Sequence, residues 1–210
     1  MQVVLITRQK NPFDHRLAQA FKREGYRVYV IEGDCEGDLE TTRALVQKEA
    51  GKIDLYVDVS DERHIADDFT VGHGLNEGVM RHVYEANVLW PMRALETFLP
   101  LLDAGQGKRL CFVSSAQASI NETRDTDGYG YNLSKAAMHS FFQMIANKLT
   151  PSGYTLRIYD PMHREIAPDL AAEAALHYFV RRRGTERQNP LRDDETRLVF
   201  RDALGREHTW

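Results

Sequence analysis

The amino-acid sequence predicts an α/β domain, a parallel sheet covered on both faces by helices. Short apolar runs of strand length alternate with longer helical segments along the chain, the pattern of strands joined by crossover helices. The run Leu110-Cys-Phe-Val-Ser-Ser ends in polar residues at the tip of a buried strand. The 210 residues, 42% of them hydrophobic, suit a single domain over 1–210 with a sizeable core and would cramp two.

Taken in order, Val3 to Thr7 is a short apolar strand, and Asn11-Pro12 followed by Asp14 starts a helix with proline at its first position. That helix runs to about Gly25. Tyr26 to Ile31 is the second strand, Leu39 to Ala50 a helix, Ile53 to Val57 a strand, and Leu75 to Leu102 a long helical stretch. Arg109 to Ser115 is the next strand, Tyr131 to Leu149 a helix, Thr155 to Tyr159 a strand, Asp169 to Arg182 a helix, and Arg197 to Phe200 a last strand. Right-handed crossovers turn this order into a three-layer, doubly wound, Rossmann-like sheet with ligands at the carboxyl ends of its strands.

Composition narrows the function classes. A net charge of −4 gives no general electrostatic reason to bind nucleic acid or an anionic membrane. The basic run Arg181-Arg182-Arg183 reads as a solvated helix end, where cations complement the helix dipole. The longest apolar stretches fall short of a membrane span, and the polar residues in Met1-Gln-Val-Val-Leu-Ile-Thr-Arg argue against a signal peptide. A soluble cytoplasmic protein is expected. Two cysteines, Cys35 and Cys111, make a disulfide framework unexpected, and eight scattered histidines lack ligand spacing, so no metal site is expected.

The chemistry sits between Leu110 and Lys135. Tyr131 and Lys135 stand four residues apart and share one helix face. An ammonium beside a phenol favours the phenolate, bringing Tyr131 nearer to proton exchange at neutral pH, while Ser115 at the neighbouring strand tip can hydrogen-bond the same substrate oxygen. This combination resembles the active site of the short-chain dehydrogenase/reductase family, in which Tyr-x-x-x-Lys follows a Ser-Ser strand end. Val83-Tyr-Glu-Ala-Asn87-Val-Leu-Trp-Pro91 resembles the family's helix segment with its catalytic asparagine. The resemblance thus implies a tetrad of Asn87, Ser115, Tyr131 and Lys135. Pro91 has no N–H, so the carbonyl of Asn87 loses its helical partner. It either frees that carbonyl for a relay water, as the resemblance implies, or merely kinks the helix around the core.

The cofactor end departs from the family pattern. Laid on the Thr-Gly-x-x-x-Gly-x-Gly turn, Thr7 is kept while Arg8, Pro12 and Asp14 replace the glycines that let backbone approach a pyrophosphate. Asp14 either satisfies the helix N-terminus itself or points away, leaving Arg8 or Lys10 to offer charge to a phosphate. The turn after the strand ending near Val57 reads Asp58-Val59-Ser60-Asp61, and Pro161 is followed by Met162 where the family has glycine facing the nicotinamide. Glu32 occupies the ribose-binding acidic position of NAD-preferring members, or is an exposed turn charge beside Gly33 and Asp34. Only six residues separate Glu32 from the helix near Leu39, so a sheet one strand short of the usual number is expected. The six residues between Pro161 and Pro168 replace a longer substrate lid, which predicts a pocket over Tyr131 left open or closed by a second subunit.

Two functions follow. One is an NAD(P)-dependent oxidoreductase acting on a carbonyl/alcohol pair. In it Tyr131 is the acid or base, Ser115 orients the substrate, Lys135 lowers the Tyr131 pKa and binds the nicotinamide ribose, and Asn87 holds the relay water. Thr7, Arg8, Glu32, Asp58, Lys135 and Pro161 are the cofactor-binding candidates. The other is a diverged member that no longer binds dinucleotide and serves as partner subunit, sensor or non-redox proton-transfer enzyme. The helix from Tyr131 is apolar over more than one face, so a homodimer or homotetramer through the 75–102 and 131–149 helices is expected, a fully buried monomer helix being the other reading. Trp210 is expected to fill a groove of its own fold or to cross a dimer.

Overall fold

The protein, seen in a computed structural model, is described over residues 1–7, 10–72, 74–181, 194–195 and 197–210. Arg8, Arg182 and Arg183 lie outside these residues. The chain runs β1 (Val3–Ile6), α1 (Pro12–Arg23), β2 (Arg27–Val30), α2 (Glu36–Glu49), β3 (Leu55–Asp58) and α3 (Glu77–Tyr84). It continues through a π turn (Glu85–Leu89), α4 (Trp90–Asp103), β4 (Arg109–Val113), α5 (Tyr129–Leu149), β5 (Thr155–Asp160), α6 (Pro168–Val180) and β6 (Phe200–Asp202). The strands form one six-stranded sheet in the order β2-β1-β3-β4-β5-β6, every neighbouring pair parallel. The predicted doubly wound fold is thereby observed, and α2 leads from β2 directly to β3 without a further strand.

Alternation along each strand builds two cores. Val3, Leu5, Tyr56, Leu110 and Phe112 face α2, α4 and α5, whereas Val4, Ile6, Val57, Cys111 and Val113 face α1 and α6. Phe112 stacks on Phe142 of α5 with ring centroids 4.2 Å apart, which ties the strand before the site to the helix carrying Tyr131 and Lys135. The turn into α2 is tight because a Cβ on Gly33 would come within 1.9 Å of the Asp38 carboxylate, which accepts the Cys35 N–H at 3.0 Å.

Several expectations are corrected here. The helix predicted over Leu75–Leu102 is two helices joined by the π turn, in which the Trp90 N–H reaches back five residues to the Glu85 carbonyl. Lacking an N–H, Pro91 cannot complete the regular ladder, and the backbone widens at Asn87. The last strand is Phe200–Asp202, three residues beyond the predicted start, because only there does the chain lie beside Ile158–Asp160. The tail turns at Gly205 (φ +77°), and the Trp210 ring folds back to 5.0 Å from the His139 ring while staying partly exposed.

Candidate active site

The carboxyl ends of β1, β3, β4 and β5 converge above the sheet, and loops there supply the polar groups. Ser114 and Ser115 follow the last residue of β4. Ser114 Oγ lies 2.7 Å from His139 Nε2, a partnership within the fold, whereas Ser115 faces the cavity. Asp67 caps the helix of Tyr131: its carboxylate accepts the Gly130 N–H at 2.9 Å and the Tyr131 N–H at 2.7 Å. Glycine at 130 eases this approach, since a Cβ there would sit 3.0 Å from Asp67 Oδ2, a tight contact.

Tyr131, Lys135 and Ser115 are brought together, and a fourth group joins them. The Tyr131 hydroxyl donates to Asp61 Oδ1 at 2.6 Å, and Lys135 Nζ lies 3.2 Å from the same oxygen while donating to the Ser60 carbonyl at 2.6 Å. The Arg63 guanidinium stacks over the Tyr131 ring, 3.6 Å from its centroid. Burial, then the Asp61 charge and the hydrogen bond to it, push the Tyr131 pKa well above its ordinary value against the opposing pull of Arg63 and Ser115. This reverses the expected lowering by Lys135. The ammonium is partnered by the Asp61 carboxylate, which offsets its pull on the phenolate. In the sequence Asp61 appears only as the last residue of the Asp58-Val59-Ser60-Asp61 turn, a carboxylate just past a strand end that no local pattern ties to Tyr131.

Asn87 sits at the π turn, its side chain bonded to loop backbone. Its Oδ1 accepts the Glu62 N–H at 2.7 Å, and its Nδ2 donates to the Glu62 carbonyl at 2.9 Å and to Ser134 Oγ at 3.0 Å. Asn87 therefore clamps the loop that carries Asp61.

At the cofactor end the candidates bond one another. Thr7 Oγ1 donates to Asp58 Oδ1 at 2.9 Å and accepts the Val59 N–H at 2.8 Å, and the same Asp58 oxygen takes the Ser60 N–H and hydroxyl. Asp14 points inward: one carboxylate oxygen accepts the Lys10 and Asn11 N–H groups at 2.9 and 3.1 Å, so the α1 N-terminus is satisfied from within. Burial, the largest cause, and the neighbouring Asp61 push the Asp14 carboxyl up to about 7. Lys10, offered as a phosphate partner, pairs with Glu62. Glu32 is exposed and Pro161 buried, while Met162 takes φ +52°, the left-handed region where glycine costs least.

A cavity of about 850 Å³ opens over these groups, lined by Pro12, Asp61, Arg63, Ser115, His163 and the tail residues Arg206 and His208 among others. The expected open or partner-closed pocket is thus walled by the chain's own tail. His208 Nδ1 lies 2.6 Å from Glu122 Oε2, which also holds the Thr209 hydroxyl through its other oxygen. His163 brings its Nε2 3.7 Å from Asp61 Oδ2. Among the described residues, no cluster of histidine, cysteine or carboxylate side chains is arranged to hold a metal ion, and no helix is long and apolar enough to cross a membrane.

Comparison with known proteins places the chain. A short-chain dehydrogenase/reductase of Diaporthe leptostromiformis is 28% identical over 179 residues, covering 76% of this chain and 60% of that protein. An uncharacterized oxidoreductase of Schizosaccharomyces pombe is 28% identical over 139 residues, 65% of this chain and 53% of that protein. The C-signal protein of Myxococcus xanthus is 29% identical over 82 residues, 39% of this chain and 49% of that protein. The chain therefore spans about half the length of these relatives. A carbonyl reductase from Pseudomonas aeruginosa in complex with NADP superposes with a TM-score of 0.78 over 100% of both chains at 15% identity. An enoyl-[acyl-carrier-protein] reductase (NADH) from Aquifex aeolicus gives 0.70 over 85% of this chain and 88% of that one, also at 15%. At such identities the likeness is one of fold. Membership rests on sequence: the family model for short chain dehydrogenases matches residues 1–175, and the chain belongs to that family.

Proposed function

We propose that this protein is an NAD(P)-dependent oxidoreductase acting on a carbonyl/alcohol pair through Ser115, Tyr131, Lys135 and Asn87. The observation that carries the reading is the meeting of Tyr131, Lys135 and Ser115 at the strand ends beside a cavity of about 850 Å³. Burying a phenol and an ammonium together is costly for stability alone, and such clusters concentrate at functional sites. As arranged, burial and Asp61 keep Tyr131 protonated; to give that proton to a carbonyl oxygen as it becomes an alcohol, the phenol must exchange Asp61 for the substrate, which removes two of the causes that raise its pKa. Ser115 holds that oxygen, Lys135 keeps positive charge beneath it, and Asn87 fixes the loop between them. The reaction needs a hydride carrier, which a nicotinamide dinucleotide supplies in this family.

The residues as arranged do not fit that dinucleotide. Asp61 already holds Tyr131 and Lys135, the donors a ribose would use, and Asp14 sets a carboxylate on the Lys10 and Asn11 N–H groups just ahead of α1, where a pyrophosphate would approach. Binding requires both carboxylates to yield. This mismatch favours a second reading, a diverged member that binds no dinucleotide and acts as partner subunit, sensor or non-redox proton-transfer enzyme. Calorimetric titration with NADH and with NADPH separates the two. Micromolar binding supports the oxidoreductase; no binding, with binding gained in Asp14→Gly, supports the second reading. A homodimer or homotetramer through the 75–102 and 131–149 helices belongs to the same proposal, supported by the exposed Leu89, Met92, Leu133 and Met144.

A further inference from the structure

Asp61 sits in a socket of donors. One oxygen takes the Tyr131 hydroxyl at 2.6 Å and lies 3.2 Å from Lys135 Nζ; the other faces His163 Nε2 at 3.7 Å. Only 8% of the Asp61 side chain and 3% of the Lys135 side chain are exposed. Burial by itself would raise the Asp61 carboxyl, yet Lys135, Arg63, Tyr131 and His163 together hold it below the ordinary carboxylate value. The socket thus more than offsets the desolvation of one carboxylate.

The loop that delivers this carboxylate is anchored independently of it. The Ser60 carbonyl accepts from Lys135, the Ser60 N–H and hydroxyl bind Asp58, and the Glu62 backbone is clamped on both sides by Asn87. Asp61 lines the cavity and stands between it and the Tyr131 hydroxyl and Lys135 ammonium, so removing its side chain leaves both donors in place and already oriented behind the space it vacates.

We propose that this socket is a carboxylate-binding site, that Asp61 is its resident ligand, and that small carboxylates such as formate or acetate take its place when that side chain is absent. In the unaltered protein the site is self-filled, and any ligand of Tyr131 and Lys135 must displace Asp61. This last consequence rests on the oxidoreductase reading where the ligand is a dinucleotide; the carboxylate site itself does not.

The test uses the full chain with Asp61→Ala, followed by thermal unfolding in sodium formate or acetate against sodium chloride at equal ionic strength. A saturable rise in melting temperature for Asp61→Ala, missing from the unaltered protein and lost again in Asp61→Ala with Lys135→Met, is expected. The Tyr131 phenol should titrate lower in Asp61→Ala and return upward with formate. If Asp61→Ala does not fold, Asp61→Asn serves: it keeps the shape, removes the charge, and should lower the Tyr131 titration as well. Equal responses to formate and chloride with an unchanged Tyr131 titration overturn the proposal. NADPH binding at least tenfold tighter in Asp61→Ala and competed by formate supports both readings. Formate binding without any dinucleotide binding keeps the socket and overturns the oxidoreductase.

Discussion

Replacing Asp14 by asparagine should stabilise the protein in a pH-dependent way. In the folded state the Asp14 carboxyl is pushed up from 3.8 to about 7, chiefly by burial. Between those values the folded chain holds a proton that the unfolded chain has released, so stability falls as pH rises from about 4 to 7 and levels off above. At about 1.4 kcal/mol per pH unit over a window of about 3 units, ionised Asp14 costs about 4 kcal/mol at pH 8 as an upper figure. Asparagine keeps an oxygen for the Lys10 and Asn11 N–H groups, which share one Asp14 oxygen, and carries no charge. Urea unfolding at steps from pH 4 to pH 8 should show Asp14→Asn more stable than the unaltered chain above pH 7, with the difference closing towards pH 4. Parallel stability curves would refute the reasoning, because a carboxyl with an ordinary pKa contributes no slope in that window. The same titration bears on ligand binding: a dinucleotide should bind the unaltered chain more tightly at pH 6 than at pH 8, where Asp14 is charged, and this dependence should shrink in Asp14→Asn.

Other consequences follow from single contacts. Asp67→Ala removes two hydrogen bonds at the start of α5 and should cost about 1–2 kcal/mol in urea unfolding, with any carbonyl reductase activity falling as Tyr131 loses its backbone anchor. Met162→Val places a β-branched residue at φ +52° and should lower the thermal midpoint by the equivalent of about 1 kcal/mol, whereas Met162→Gly should not. Tyr131→Phe should reduce steady-state carbonyl reduction at least about 100-fold, as expected for loss of a positioned general acid, while far-ultraviolet circular dichroism stays unchanged.

The alternation of apolar strand runs with helical segments, the parallel sheet and the short link from Glu32 to α2 are all legible in the sequence, because each is written in residues close together along the chain. So is the pairing of Tyr131 with Lys135, since the helical repeat alone puts them on one face. Sequence also recorded that Pro91 would disturb the backbone at Asn87, although not that a π turn would absorb the disturbance. Only the tertiary structure decided what those side chains meet. Asp61 reaches Tyr131 across 70 positions and Asp67 caps the same helix across 64, and no local pattern encodes such distances. The direction of Asp14, the tail that walls the cavity and the sign of the Tyr131 pKa shift were decided there too. Each depends on which charges and surfaces packing brings into contact: burial, and then a carboxylate placed by a distant loop, raise the Tyr131 pKa although the helix repeat supplies a neighbouring ammonium.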